Sequence, residues 1–384
     1  MYGGKRNAMM DKMRKRMEGV LFYKKIRLLQ GLLNGEKPFT GPFSIVIDVT
    51  CRCNRHCLGC RYHSKQVNFP SAVTPGIMDI PLSRVQDLCA EVKPLNIHDI
   101  VITGEGEPFL HPQIFEIVTT AQKSGANIIL FTNGTLLNEE KSRALVETHL
   151  NTLIVSLWAS SPEEYRQNYR GSSINNFNHV VEGLRALKSI KMKYRTQYPQ
   201  VIFNVPLNSY NFQNLNGILE LAMQTGCNGI QFCPMINWGK MLDYCALSEE
   251  QQTCLCHELA QLKKQMVTAG LIHNIDRVLR RYQIGEAVWE KIPCYVGWFQ
   301  SRIKVDGTVV TCPACNLLMG SLNDNTLGEI WEGSPYRSFR RQTMTREGVE
   351  ELALGHDCDC GFCCHADINS RIHRFFKCFS PFRS

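Results

Sequence analysis

The sequence predicts an α/β protein in which a partial barrel of six β/α units is followed by a small cysteine-rich C-terminal domain. Between residues 43 and 235, short runs of β-forming residues alternate with helical segments, which is typical of parallel β/α units. Beyond residue 285 the alternation stops and a cysteine-dense segment follows. Eight of the 18 cysteines lie between Cys294 and Cys378, and four lie between Cys51 and Cys60. We therefore divide the chain into residues 1–40, 41–285 and 286–384.

Residues 1–40 are predicted to form a basic helical extension. In residues 18–35, apolar side chains are interleaved with Lys24, Lys25 and Arg27, and Gly35 ends the pattern. We expect this helix to pack across the outside of the barrel. Residues 1–17 contain no apolar run of the kind that a secretory signal needs, and no later stretch is apolar over the length of a membrane span.

The charge distribution does not indicate a nucleic-acid partner, and without a secretory signal or a membrane span we expect the protein to be cytoplasmic. Lysine and arginine exceed aspartate and glutamate by 43 to 35, a net charge of +8, but the excess lies in the first thirty residues and in the tail 371–383. Such terminal runs are more typical of a solvated surface than of a nucleic-acid or membrane contact. In a reducing compartment cysteines rarely form disulfides, so the two cysteine clusters point to metal binding.

Residues 41–285 contain six predicted strands and the helices between them. The strands are Phe43–Val49, His98–Thr103, Asn127–Thr132, Thr152–Trp158, Val201–Val205 and Gly229–Cys233. The helices are Leu82–Val92, Gln113–Ser124, Glu139–His149, Phe177–Ile190 and Phe212–Thr225, with further helices expected in residues 248–283. Right-handed crossovers curl such units into a TIM-like barrel, whose functional residues lie at the C-terminal ends of the strands.

Three cysteines follow the first strand in the pattern C-x3-C-x2-C, at Cys53, Cys57 and Cys60. Thiolates so spaced on one loop can each bind a different iron of a [4Fe–4S] cubane and leave the fourth iron open to a small molecule. A zinc site would need a fourth ligand, which Cys51 or His56 could supply. Cys51 is only two residues from Cys53 and points the wrong way if the strand persists, so the spacing favours iron–sulfur.

The surrounding motifs resemble those of the radical SAM superfamily. In that family the C-x3-C-x2-C loop follows the first strand of a β/α barrel. Residues 103–108, Thr-Gly-Glu-Gly-Glu-Pro, close the second strand and resemble the family's GGEP motif. Residues 131–134, Phe-Thr-Asn-Gly, and residues 155–157, Val-Ser-Leu, are similar to its motifs on the third and fourth strands. The resemblance covers about residues 43–235.

This resemblance implies a set of residues that bind S-adenosylmethionine. Gly104 and Gly106 would expose backbone amides and carbonyls to the amino group of its methionine moiety, and Glu107 would orient that loop or form a salt bridge. Ser156 and Asn204, at strand ends, are candidates for hydrogen bonds to its carboxylate or ribose.

Two positions depart from the family pattern. The family usually has an aromatic residue just before the third cysteine, where this chain has Gly59, so the adenine is expected to pack elsewhere, on Tyr62 or His63. The first position of the GGEP motif is Glu105. Neither change removes a cluster ligand.

Asn133, in the third-strand motif, completes the predicted cofactor-binding set.

The resemblance also implies a reaction type. The open iron chelates S-adenosylmethionine, one electron cleaves its carbon–sulfur bond, and the 5′-deoxyadenosyl radical abstracts a hydrogen atom from the substrate. The electron would come from a flavodoxin- or ferredoxin-type donor. The protein supplies positioning and excludes water.

The C-terminal cysteines are predicted to hold an auxiliary cluster. Residues 305–312 read as part of a β-hairpin around Asp306-Gly307, and C-x12-G-x4-C joins Cys294 to Cys312. With the distant Cys360 and Cys363, this pattern resembles the SPASM and twitch modules of the same family. No C-x5-C-x3-C follows Cys363, so the twitch form with one [4Fe–4S] cluster fits better than full SPASM with two.

Two alternatives stay open for this segment. The same four cysteines could form a zinc ribbon. The remaining Cys315, Cys358, Cys364 and Cys378 could instead support a second auxiliary cluster. The scattered cysteines elsewhere are expected to be small buried hydrophobic residues.

The function that follows is oxidation or epimerisation of a small sugar-like or natural-product substrate. An auxiliary cluster near the substrate can accept the electron left on a substrate radical. The alternative within the family is a maturase that modifies a peptide or protein, either of the peptide natural-product type or of the sulfatase-activating type. A third hypothesis is a non-catalytic binding module stabilised by zinc at both cysteine groups.

Cys233 is the candidate catalytic residue. It closes the sixth strand at the barrel face where substrate is expected, and a thiol there could donate a hydrogen atom to a substrate radical. The competing interpretation is a buried core thiol, because cysteine is among the most buried residue types.

Overall fold

The computed structural model describes residues 23–65, 67, 76–236, 241–284, 292–315, 317–354, 363 and 365–378. Three of the cysteines predicted as ligands or alternatives, Cys358, Cys360 and Cys364, lie outside these residues, as do the first part of the basic extension and the end of the tail.

The strands and helices alternate as predicted through the first two thirds of the chain. The strands are β1 (Ser44–Asp48), β2 (His56–Cys57), β3 (Asp99–Thr103), β4 (Asn127–Thr132), β5 (Thr152–Ser156), β6 (Tyr169–Arg170), β7 (Gln200–Leu207), β8 (Gly229–Pro234), β9 (Ile272–His273), β10 (Gln300–Ile303), β11 (Thr308–Val310) and β12 (Gly320–Ser321). The helices are α1 (23–34), α2 (Leu82–Glu91), α3 (Ile114–Lys123), α4 (Glu139–Glu147), α5 (Pro162–Asn168), α6 (Ile174–Lys193), α7 (Leu215–Thr225), α8 (Glu249–Thr268), α9 (Ile275–Ile284), α10 (Leu327–Glu332), α11 (Ser334–Thr343), α12 (Arg346–Leu354) and α13 (Ala366–Lys377).

One sheet contains all six predicted strands, in the parallel order β1-β3-β4-β5-β7-β8. Two further strands join it in parallel at the ends, β10 beside β1 and β9 beside β8. In the described part of the chain β9 and β12 are the two edges of this sheet, so the barrel is partial. The predicted α/β fold class is confirmed.

Burial explains why these segments form strands and helices. In β1 the side chains of Ile45 and Ile47 are fully buried on the face that packs inward, and β3 and β4 repeat this period of two. In α3 the buried residues are Ile114, Ile117, Val118 and Ala121, the spacing of one helix face. The core therefore lies between the sheet and a surrounding layer of helices.

Helix α1 packs against the outside of the barrel, as predicted. Leu32 is fully buried, and the Lys24 Nζ donates a hydrogen bond of 2.9 Å to the carbonyl of Pro42 and another to that of Asn96. Burial lowers the pKa of Lys24 to about 8, although the nearby Asp99 partly opposes this.

The predicted C-terminal hairpin is formed by β10 and β11, with Gly307 at a φ of 88° in the turn between them. The hairpin is also part of the barrel sheet, because Ser44 of β1 lies beside Gln300 of β10. The boundary near residue 285 thus marks a change in sequence pattern, while the strand after it completes the edge of the barrel.

The predicted helices of residues 248–283 are α8 and α9, which lead from the barrel to the cysteine-dense segment. Helix α8 begins with a capping box in which Ser248 and Gln251 exchange hydrogen bonds. No helix in the described ranges is both long and apolar enough to cross a membrane.

Candidate functional site

The loop after β1 carries the first cysteine group and is held at several points. Its short strand β2 pairs with β6, so that Cys57 lies beside Tyr169, and the Leu58 amide donates to the Asn168 carbonyl at 2.9 Å. The loop that leaves β5 therefore supports the C-x3-C-x2-C segment from one side.

Cys53, Cys57 and Cys60 lie near one another on this loop. Burial raises the pKa of all three thiols, to about 11 for Cys53, and the thiols of Cys53 and Cys60 raise the pKa of Cys57 further by repulsion between their ionised forms. The backbone amide of His63 donates to the Cys60 sulfur at 3.3 Å. Three soft thiols and an amide aimed at sulfur fit an iron–sulfur cluster, whose cationic irons would favour the thiolates.

Cys51 has different surroundings. Its sulfur lies 3.9 Å from Oε2 of Glu105, and burial together with that carboxylate raises the pKa of Cys51 to about 12. Among the described residues, no group of three His, Cys, Asp or Glu side chains is compact enough to hold a single metal ion.

The Gly-Glu-Gly-Glu-Pro loop after β3 packs directly on the backbone of the cysteine loop. The amide of Gly106 donates to the Thr50 carbonyl at 3.0 Å and that of Glu107 donates to the Arg52 carbonyl at 2.7 Å. A Cβ on Gly106 would lie 2.1 Å from the Arg52 oxygen, and one on Gly104 would lie 2.7 Å from the Thr50 oxygen. The prediction that the Gly106 amide faces the cofactor is corrected, because that amide already bonds to the neighbouring loop.

Glu107 orients the loops, as predicted. Its buried carboxylate accepts hydrogen bonds from the Asn133 amide at 2.6 Å, the Thr132 hydroxyl at 2.7 Å and the Phe109 amide at 3.2 Å. Burial raises its pKa to about 6, and the hydrogen bonds limit the rise. Glu107 thereby joins the C-terminal ends of β3 and β4.

Asn133 extends this network to the cysteine loop. Its side-chain amide donates to the Asn54 oxygen at 2.9 Å, and the Asn54 amide donates to the Thr135 hydroxyl at 2.9 Å. Asn54 lies inside the C-x3-C segment and was not singled out from the sequence. Its position between two ligand cysteines is the signal that could have identified it.

Ser156 closes β5 and lies beside Asn204 of β7. The prediction that Asn204 lies at a strand end is wrong, because β7 continues to Leu207. The Ser156 hydroxyl accepts a hydrogen bond from the Trp158 indole at 2.8 Å. The Asn204 side-chain oxygen lies 4.0 Å from the sulfur of Cys233, which is at the end of β8. Asn204, Cys233 and Trp158 line one cavity.

That cavity, which we call the reaction cavity, has a volume of about 420 Å³ and lies between the barrel and the C-terminal segment. Its residues include Gly59 and Cys363, one from each cysteine group. The remaining residues are Trp158, Asn204, Pro206, Phe232, Cys233, Pro234, Met235, Ile236, Asn274, Arg277, Val278, Arg281, Ala366, Asp367 and Ile368. Cys233 is half-buried and lines this cavity, which is the location that the hydrogen-donor hypothesis requires.

Tyr62, the predicted adenine contact, packs against a buried ion pair. Its ring centre lies 6.0 Å from the guanidinium of Arg302, and burial raises the pKa of its phenol. Arg302 binds both carboxylate oxygens of Asp48, at 2.7 and 3.0 Å. Beside this pair, Lys304 lies 3.2 Å from Glu105, and all four side chains are buried. Arg302 of β10 and Lys304, which follows β10, thus supply two cations, one to Asp48 at the end of β1 and one to Glu105 in the loop after β3.

In the second cysteine group, the structure brings Cys294 and Cys363 together. The side-chain amide of Asn369 lies 3.9 Å from the Cys294 sulfur and 3.8 Å from the Cys363 sulfur. Cys312 is buried after β11, where its carbonyl accepts the amide of Cys315 at 3.2 Å. Cys360, the fourth predicted ligand, lies outside the described residues.

Comparison with known proteins was consistent across family, sequence and fold. The family model described as "Radical SAM superfamily" matches residues 47–222, and one described as "Iron-sulfur cluster-binding domain", SPASM, matches residues 294–364. Among curated proteins, the AdoMet-dependent heme synthase of Methanosarcina barkeri is 22% identical over 78% of this chain and 85% of its own length. The PqqA peptide cyclase of Streptomyces rochei is 22% identical over 85% of each chain. Among solved structures, Streptococcus suis SuiB bound to precursor peptide SuiA has a TM-score of 0.63 at 11% identity, over 88% of this chain and 75% of SuiB.

Proposed function

This chain belongs to the radical SAM superfamily and carries a C-terminal SPASM iron–sulfur domain, and we propose that it oxidises or epimerises a small polar substrate held in the reaction cavity. Its cofactors are S-adenosylmethionine and [4Fe–4S] clusters. When bound, they supply a 5′-deoxyadenosyl radical that removes a hydrogen atom from carbon. The electron that starts this reaction would come from a flavodoxin- or ferredoxin-type donor.

We assign Cys53, Cys57 and Cys60 as the ligands of the cluster that cleaves S-adenosylmethionine. The observation behind this assignment is the set of three neighbouring thiols with an amide directed at the Cys60 sulfur. Cys51 is assigned a packing role, because its sulfur contacts Glu105 instead. Glu107 and Asn133 are positioning residues, which fix the cysteine loop relative to the ends of β3 and β4.

Cys294, Cys312, Cys360 and Cys363 are proposed as ligands of the auxiliary cluster. The shared contact of Cys294 and Cys363 with Asn369 supports two members of this set. An auxiliary cluster there would border the reaction cavity through Cys363 and could accept an electron from a substrate radical.

The observation that carries the proposed function is that one cavity touches both cysteine groups. Gly59, which is adjacent to Cys60, and Cys363 both line it. Cys233 and Asn204 line the same space, so a substrate there could be reached from the cleaving site and by a thiol. A volume of about 420 Å³ falls in the range of small-molecule sites.

A second candidate function is modification of a peptide. Similarity to known proteins supports it about as well as it supports small-molecule chemistry, because the PqqA peptide cyclase and SuiB bound to its precursor peptide are similar to this chain over most of its length. The same cavity would then receive one side chain of the peptide.

The described cysteines form no disulfides, which supports a reducing, cytoplasmic setting.

The test is anaerobic reconstitution of the protein with iron and sulfide, followed by reduction with dithionite in the presence of S-adenosylmethionine. We expect a brown protein that forms 5′-deoxyadenosine, measured by mass spectrometry, and loss of that product when Cys53, Cys57 and Cys60 are all replaced by Ala. Cys254→Ala, at an exposed position on α8, is the matched control and should retain the activity. Colourless protein with stoichiometric zinc and no 5′-deoxyadenosine would instead support a zinc-stabilised binding module.

A further inference from the structure

A second cavity, of about 270 Å³, adjoins the reaction cavity and is rich in arginine. The two cavities share Arg277, Arg281, Ala366 and Asp367, so they lie next to each other beside α9 and α13. The other residues of the second cavity are Arg280, Ile292, Ser370, His373 and Arg374. We call this second space the arginine cavity.

Two helix faces converge on the arginine cavity. Arg277, Arg280 and Arg281 recur at the three- and four-residue spacing that places side chains on one face of α9. Ser370 and Arg374 follow the same spacing on α13. The lining residues include four arginines and one aspartate, so the electrostatic potential of this cavity favours an anion.

Asp367 indicates which kind of anion fits. Its carboxylate lies between two of the arginines, with Oδ2 at 3.3 Å from Nε of Arg277 and Oδ1 at 3.8 Å from Nη2 of Arg280. Both distances are longer than in a tight charge-assisted pair, which leaves these guanidiniums with donor capacity for a second carboxylate. Across the cavity, Arg374 pairs with no acidic side chain of the described ranges.

We propose that the arginine cavity binds carboxylate groups of the substrate while the carbon–hydrogen bond to be broken lies in the reaction cavity beside Cys233. Because it assigns the ligand as substrate, this inference rests on the proposed function. Carboxylates match the planar, bidentate donors of arginine. They could belong to a small polycarboxylate or to acidic side chains of a peptide, and the two sources call for different probes.

The experiment is isothermal titration calorimetry of the reconstituted holoenzyme with two probes, tricarballylate and the peptide N-acetyl-Glu-Asp-Glu-amide. The uncharged peptide N-acetyl-Gln-Asn-Gln-amide is the ligand control. We expect one carboxylate probe to bind more tightly than the other, which identifies the source, and its affinity to fall as salt concentration rises. The double variant Arg280→Gln/Arg374→Gln should weaken that probe by about tenfold or more, the loss of one to two charge-assisted contacts.

Arg143→Gln is the matched protein control, because Arg143 is exposed on α4, pairs with Glu139 and lines neither cavity. Absence of binding by both carboxylate probes, equal binding by the uncharged peptide, or equal binding by the double variant would each overturn the inference. Formation of 5′-deoxyadenosine without added substrate is measured in parallel, and the Arg143→Gln control should form as much of it as the wild type. If carboxylates bound but the wild type made no 5′-deoxyadenosine, the proposed function would fail while the anion site remained.

Discussion

At the scale of single residues, the cysteines of the first loop differ in the groups that neighbour their sulfur atoms. Cys51 and Cys53 are close in the chain, but the sulfur of Cys51 contacts the Glu105 carboxylate while the thiol of Cys53 is grouped with those of Cys57 and Cys60. A carboxylate neighbour disfavours the thiolate that a metal would need. We therefore predict that Cys51, unlike Cys53, Cys57 and Cys60, is not a cluster ligand.

This difference predicts that Cys51→Ala retains S-adenosylmethionine cleavage. The variant should form 5′-deoxyadenosine within about twofold of the wild type, because no ligand is removed and the lost sulfur contacts only Glu105. Single Ala variants of Cys53, Cys57 and Cys60 are the comparison and should lose the product. A Cys51→Ala protein that binds iron normally but makes no 5′-deoxyadenosine would contradict the ligand assignment.

Glu107 should give the protein a measurable pH dependence of stability. Burial raises its pKa to about 6 from an ordinary value of 4.5, so the folded protein holds this proton more tightly than the unfolded chain does. The resulting stabilisation is fully present below pH 4.5 and is lost as the pH rises through 6, a change of about 2 kcal/mol in the free energy of unfolding.

Glu107→Gln removes this titration, although it also leaves fewer acceptors for the donors around it. The free energy of unfolding of the wild type minus that of the variant should therefore fall by about 2 kcal/mol between pH 4.5 and 7. Urea denaturation of both reduced apoproteins over that range measures the difference. A difference that stays flat or rises with pH would show that the carboxyl group is not destabilised by its burial.

At the scale of elements, β10 and the residue that follows it are tied to the ends of β1 and β3 by two buried ion pairs, Arg302 with Asp48 and Lys304 with Glu105. Removing one partner of a buried pair leaves an uncompensated charge, which costs far more than breaking a pair at the surface. Glu105 stands where the family motif has glycine, and its cation comes from the distant hairpin. The glutamate that replaces the glycine of the family motif is thus paired with Lys304.

A double-mutant cycle tests this coupling. Lys304→Met should lower the free energy of unfolding by about 3–5 kcal/mol, and adding Glu105→Gln should recover part of that loss, because the buried charge is then removed. Arg341→Gln, which breaks the exposed pair with Glu36, is the control and should cost about 1 kcal/mol or less. Additive effects of Lys304→Met and Glu105→Gln would contradict the pairing.

The sequence was sufficient to predict the elements whose burial is periodic. The six central strands, the helices between them and the C-terminal hairpin were predicted because apolar residues recur at strand or helix spacing in each. The place of β10 beside β1 was not predicted, since Gln300, Ser301 and Arg302 are polar and their burial depends on partners such as Asp48, far away in the chain. Strands as short as β9, two residues, carry too little pattern to be detected.

The candidate site divides in the same way. The motifs singled out Cys53, Cys57, Cys60 and Glu107, because each depends on local spacing. The ligand role of the three cysteines stays a prediction, whereas the structure shows that Glu107 accepts hydrogen bonds from the end of β4 and the residue after it. The sequence did not predict that the arginines of α9 line a cavity, because that cavity forms only where α13 packs beside α9. The sequence analysis also assigned the Gly106 amide to the cofactor. In the structure that amide donates a hydrogen bond to the carbonyl of Thr50 in the loop after β1.

At the scale of the whole molecule, the two cysteine groups predict two [4Fe–4S] clusters. Anaerobic iron and sulfide assays should find about eight irons per protein, and about four after Cys53, Cys57 and Cys60 are replaced by Ala. The Cys254→Ala control should keep all eight. About twelve irons in the intact protein would instead indicate a second auxiliary cluster, which would require Cys315, Cys358, Cys364 or Cys378 as ligands.

The position of β10 in the barrel sheet has a consequence for how the chain is made. Strand β1 pairs with β10, which begins at Gln300. During synthesis β1 can therefore form this pairing only after most of the chain has left the ribosome. Until then the free edge of β1 presents unpaired backbone groups, and Asp48 has not yet met Arg302. The C-terminal segment therefore completes the barrel sheet last. A fragment that ends near residue 285 would lack β10, and its β1 would remain an edge strand able to pair with other chains.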